Sequence, residues 1–161
     1  LNTALRISDI LNLKWENVYD FNNGKLREHI ILHESKTKKS QMIIINKSLS
    51  LSFEQLMINI ENVNPDAYIF MSKKDSNNHI SRVQAHRIVK EAAKSTLTDA
   101  SHISCHSLRK TFGYFAYKNG ANPTLLMSIF NHSSFEVTKR YLGINQDEKD
   151  SIYLSVNFFN L

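Results

Sequence analysis

Apolar positions recur at helical spacing along most of this chain and alternate at strand spacing only between residues 16 and 45. Residues 1–13 carry Leu1, Ala4, Leu5, Ile10, Leu11 and Leu13 and read as a helix already under way, with no start signal of its own. A piece cut from a longer protein is expected. The period then changes. Val18–Phe21, the turn residues Asn22-Asn23-Gly24, His29–His33, the stretch Lys36–Lys39 and Met42–Ile45 predict a three-stranded antiparallel meander. Lys36–Lys39 form the tip of its second hairpin.

Helical spacing returns over 50–62, where Leu51, Phe53, Leu56, Met57 and Ile60 make a broad apolar face. Pro65 and the polar run 72–78 predict a loop. Ser81 is placed to cap a helix through about Ser95, with Val83, Ile88 and Val89 inside and Arg82, His86, Arg87 and Lys90 outside. A further helix runs from about Ser107 to Asn119 and stops at Gly120. Asn122-Pro123 opens a short helix. Ser133 or Ser134 opens another through Tyr141, and Gly143 breaks it. Residues 146–157 predict a last helix, and the tail is apolar at Ile152, Leu154, Val156, Phe158, Phe159 and Leu161. The fold class is α+β, mainly helical, in one domain.

The composition is that of an ordinary globular chain. Hydrophobic residues are 42% and charged residues 22% of 161, enough for one domain with a real core. The net charge of +5 favours an anionic partner without naming it. Cys105 is the lone cysteine, so no intrachain disulfide can form and a reduced, cytoplasmic setting is expected. No run of about 18 apolar residues predicts a membrane span. His29 and His33 share one face of a strand, spaced too far for tight chelation, so no metal site is expected.

Singly, the candidate chemical residues are weak signals. His106 and Arg109 stand three apart at a helix start, a position that favours a phosphate. Arg6 has the plain alternative of a salt bridge to Asp9, His132 that of a turn histidine, and Tyr141 that of a half-buried aromatic. Together they form a set. Arginine forks hold a phosphate at two points, histidine carries a proton near neutral pH, and tyrosine supplies an oxygen nucleophile.

The order of these boxes resembles the tyrosine recombinase (phage integrase) family. Thr3-Ala-Leu-Arg-Ile-Ser-Asp-Ile-Leu-Asn-Leu-Lys-Trp15 is similar to its first arginine box, and His106-Ser-Leu-Arg-Lys-Thr-Phe112 to its second. Leu126–Ser134 with Thr138-Lys-Arg-Tyr141 is similar to its histidine and nucleophile segment. The steps of 23 residues from Arg109 to His132 and of 9 from His132 to Tyr141 suit it too. Ala4 and Asn131 stand where the family often has glycine, and Lys110 where it often has histidine.

The resemblance implies an integrase-type catalytic domain over 1–161, with a small three-stranded sheet at one edge and the upstream DNA-clamping domain absent from this chain. It implies double-stranded DNA as partner and strand exchange through a 3′-phosphotyrosyl intermediate, with no metal, ATP or other cofactor. Tyr141 is the implied nucleophile. Arg6 and Arg109 clamp the non-bridging oxygens, His132 donates to one of them, and His106 is the base for Tyr141. Lys36 is the candidate acid for the leaving oxygen; Lys38 and Lys39 are rivals on the same turn, and the family pattern selects the first. Lys38, Lys39, Arg82 and Arg87, with Gln84, are candidate DNA contacts. The resemblance implies self-association in a synaptic complex, for which 146–161, with its apolar part Ile152–Leu161, is the candidate segment; the alternative is that this tail docks onto its own domain. The rival reading is a non-catalytic DNA-binding module, in which the two short helices of 122–141 pass for a helix-turn-helix.

Overall fold

The computed structural model describes residues 1–36, 39–60 and 63–156. Its chain divides into two compact units, Leu1–Arg109 and Lys110–Leu161.

In the first unit the opening helix is shorter than expected. Ala4 has φ +55°, a left-handed value that a right-handed helix cannot contain. Arg6 is extended and caps α1 (Ile7–Leu11) rather than lying within it. The expected three-stranded meander is instead two separate hairpins. β1 (Tyr19–Asp20) pairs with β2 (Lys25–Leu26), and β3 (His29–His33) pairs with β4 (Ser40–Ile44), both antiparallel. The break falls at Arg27-Glu28. The Arg27 amide closes the first hairpin on the Val18 carbonyl, while the Glu28 carbonyl accepts from the Ile45 amide of the second. The predicted turn stands as read: Asp20 accepts from the Asn22 amide, and Gly24 takes φ +64°.

The core of this unit joins Leu5, Leu13, Trp15, Val18, Ile30, Phe53 and Ile69. Trp15 and Phe53 meet edge to face, their centroids 6.4 Å apart. α2 (Lys47–Ile58) starts at an Asn46 cap and buries only Phe53; Leu51 and Leu56 of its expected apolar face are exposed. α3 (Arg82–Lys94) begins at Ser81 as predicted, the Ser81 hydroxyl accepting from the Gln84 amide at 3.1 Å. Its buried residues are Ala85 and Ala93, whereas Val83 and Ile88 are exposed. Small residues let this helix pack closely, so the larger apolar side chains fall outside the contact. α3 packs against α1.

α4 (Cys105–Lys118) begins in the first unit and ends in the second. The second unit continues with α5 (Pro123–Ile129), α6 (Phe135–Leu142) and α7 (Gln146–Ser155). The Asn122 side chain caps α5 with proline at the first turn, and Gly143 closes α6 at φ +70°. Phe130, Leu126, Leu142 and Thr138 are buried here. α7 exposes Ile152 and Leu154, Val156 just past its end is exposed too, and Phe158, Phe159 and Leu161 lie outside the described residues. Lys118 on α4 pairs with Glu148 on α7. Among the described residues no helix is long and apolar enough to cross a membrane.

Candidate functional site

In the first unit, Leu5 and Ala4 are buried against the core, which turns the following Arg6 outward at the start of α1. Arg6 lines a cavity of about 430 Å³ together with Ser8, Ser35, Lys36, Arg82, Cys105, His106 and Arg109. Four residues expected for catalysis thus line one cavity: Arg6, Lys36, His106 and Arg109. Arg82, expected only as a peripheral DNA contact, joins them. The cavity holds four cationic side chains and the N-terminus of α4, an arrangement that suits a phosphate.

The N-terminus of α4 is built by two serines. The Ser107 amide donates to the Ser104 hydroxyl at 3.3 Å, and the Ser104 amide donates to the Ser107 hydroxyl at 3.1 Å. This reciprocal cap starts the helix just ahead of His106. One turn on, Arg109 is 4% exposed and donates through Nη1 to the Ala4 carbonyl. The left-handed turn at Ala4 therefore aims a backbone acceptor at the second arginine.

Arg6 is not paired with Asp9, the partner its spacing suggested. Its Nη1 lies 2.6 Å from Oε2 of Glu34, whose side chain is 0% exposed. Asp9, itself buried, instead accepts from the Ser35 amide at 2.8 Å through Oδ1. Asn12 Nδ2 donates to the Ser35 hydroxyl at 3.2 Å. Glu34 and Ser35 thus fix the start of the turn that carries Lys36. Lys38 lies outside the described residues; Lys39 and Arg87 are exposed and are not among the cavity's lining residues. Burial pushes the Cys105 thiol above its ordinary range, which keeps it protonated beside the basic groups.

His132 and Tyr141 belong to the second unit. Their rings meet at 4.6 Å between centroids, edge to face. Phe130, fully buried, stacks beneath His132 at 5.1 Å and lies 5.3 Å from Tyr141. His132 Nδ1 and the buried Thr138 hydroxyl are 3.0 Å apart. That bond orients the imidazole so that Nε2 points the other way. Lys110 Nζ stands 5.8 Å from the Tyr141 ring centroid.

Sequence reasoning missed Glu34, Thr138 and Phe130. Thr138 had a signal, since it opens the Thr-Lys-Arg-Tyr segment. Glu34 had none, because an acid at the end of a strand reads as solvated until its partner is known. Among the described residues, no three histidine, cysteine, aspartate or glutamate side chains gather to hold a metal.

The model of the phage integrase family matches residues 1–148. The probable integrase/recombinase YoeC of Bacillus subtilis (strain 168) is 38% identical over 153 residues, covering 95% of this chain and 78% of that protein. XerA recombinase aligns with a TM-score of 0.73 at 18% identity, over 98% of this chain and 56% of its own. The Tn1549 transposon integrase, solved with a circular intermediate DNA, aligns at 0.65 and 22%, over 96% of this chain and 55% of its own. This chain therefore spans just over half the length of those two structures, which share its fold. A family match running from the first arginine box past Tyr141, joined to a relative 38% identical over nearly all of the sequence, places this chain in the phage integrase family.

Proposed function

We propose that this chain is the catalytic portion of a site-specific DNA recombinase, acting in the cytoplasm on double-stranded DNA. Tyr141 attacks the scissile phosphorus; a 3′-phosphotyrosyl bond forms and the bond to the 5′-oxygen breaks. A 5′-hydroxyl of another strand then attacks the same phosphorus and releases the tyrosine. One phosphodiester is exchanged for another through one phosphotyrosine, so the balance needs no external energy source.

The roles follow from the residue types. Charge develops on the non-bridging oxygens, and fixed cations aimed there lower the barrier. Arg6 and Arg109 take those oxygens, with His132 as a further donor. His106 receives the Tyr141 proton, since a phenol of pKa about 10 needs a base at neutral pH. Lys36 protonates the departing 5′-oxygen. Lys38, Lys39, Arg82 and Arg87 contact the DNA backbone and fix register. Self-association in a synaptic complex is assigned to 146–161, whose described part exposes Ile152, Leu154 and Val156.

The observation that carries this reading is the meeting of Arg6, Lys36, His106 and Arg109 in one cavity, although they stand up to 103 residues apart in sequence. The Tn1549 integrase structure, which holds DNA, supports the partner. The test is adduct trapping on a nicked suicide substrate. Wild-type protein is expected to form a covalent protein–DNA band, and Tyr141→Phe to form none while binding DNA as before. A band that persists in Tyr141→Phe moves the nucleophile elsewhere. Binding by wild-type protein with no band leaves only a DNA-binding module.

A further inference from the structure

We propose that Glu34 is the positioning residue that sets the Arg6 guanidinium in the cavity and joins it to the turn bearing Lys36. This rests on the strand-transfer reading above.

A carboxylate with no solvent exposure is costly to bury unless it is paired. Glu34 is paired on both oxygens: Oε2 with Arg6 Nη1 at 2.6 Å, and Oε1 with Gln41 Nε2 at 3.4 Å. An apolar pair of the same volume would commonly be no less stable, so stability alone is a weak reason for this ion pair. Orientation is a stronger one. A guanidinium sits on a long flexible stem, and a short charge-assisted bond to a fixed acceptor holds its plane before DNA arrives.

The acceptor is fixed because of where Glu34 lies. Its amide donates to the Lys39 carbonyl at 2.9 Å, which closes the base of the turn. The next residue, Ser35, is held by Asp9 and Asn12. The residue after that is Lys36. One corner therefore positions both the candidate clamp and the candidate acid, groups that must address different oxygens of one phosphate. A displacement near 1 Å in such a group costs on the order of a hundredfold in rate.

The experiment follows adduct formation by the full chain on nicked suicide DNA, together with DNA affinity. Glu34→Gln keeps the shape and removes the charge; Glu34→Asp keeps the charge and shortens the reach. Glu34→Gln is expected to slow cleavage by on the order of a hundredfold with affinity little changed, and Glu34→Asp to recover part of that loss. In an Arg6→Ala background, Glu34→Gln is expected to add nothing, since it acts through the missing group. A wild-type cleavage rate in Glu34→Gln, or losses that multiply in the double variant, overturns the proposal. A readout on the unmodified protein covers the case of a variant that does not fold. The Nη resonances of Arg6 are expected to be resolved by hindered rotation; averaged resonances overturn the tether. Should wild-type protein form no adduct, the strand-transfer reading fails while these resonances still decide the tether.

Discussion

Ala4 shows how one residue shapes this site. Its φ of +55° is a conformation that alanine adopts at a cost of about 1–2 kcal/mol, because Cβ crowds the following carbonyl. The geometry is kept because the turn ends the preceding chain, frees Arg6 from the helix and offers its carbonyl to Arg109. Asn131, just before His132, has φ +50°, and asparagine tolerates that region better. Both stand where the family often has glycine, so the resemblance marked these two special backbone positions, though not their angles. Ala4→Gly is expected to relieve the strain, less the added freedom of the unfolded chain, for a net gain of about 0.5–1 kcal/mol. Thermal unfolding checks this: a rise in Tm supports it, and a fall shows that the methyl group, 3% exposed, packs for more than its strain costs.

At the scale of elements, start and stop signals were legible and buried faces were not. Ser81, Asn122-Pro123, Gly120 and Gly143 act locally, through a side-chain cap or a positive φ, so the chain around them is sufficient evidence. Which side of α2 or α3 is buried depends on what arrives from elsewhere. On α3 the alanines were chosen over Val83 and Ile88. The same dependence makes Gly113 on α4 informative. A Cβ there would stand 2.8 Å from Cζ and 3.0 Å from Cε2 of Phe130, a fully buried ring beneath His132 and Tyr141. Overpacking of this kind costs about 1–3 kcal/mol, against about 1 kcal/mol of helix propensity that alanine gains over glycine. Gly113→Ala is therefore expected to lower Tm and to slow adduct formation together. A variant with raised Tm and normal cleavage would show that Phe130 can move without cost.

At the scale of the whole molecule, the net charge of +5 bears on the proposed partner. Binding that neutralises Z phosphates weakens with salt at a logarithmic slope of about −0.9 Z. Arg82 and Arg87 are assigned to the backbone, so Arg82→Ala and Arg87→Ala are each expected to reduce that slope by about 1, on unrelated DNA sequences as well as on the target. A titration of affinity against salt checks this, and an unchanged slope removes the residue from the interface. The sequence by itself determined the family and the helix starts and stops after residue 80, and it supplied the candidate basic, histidine and tyrosine groups, because residue chemistry and local capping do not depend on distant partners. It could not separate the two hairpins, since two residues at Arg27-Glu28 decide whether pairing continues or restarts. Only the tertiary structure decided that Arg6 meets Glu34 and not Asp9, that Arg82 enters the cavity with Lys36, His106 and Arg109, and that Phe130 underlies His132 and Tyr141. These are pairings across sequence distance, fixed by how the elements pack and by the need to pair each buried charge.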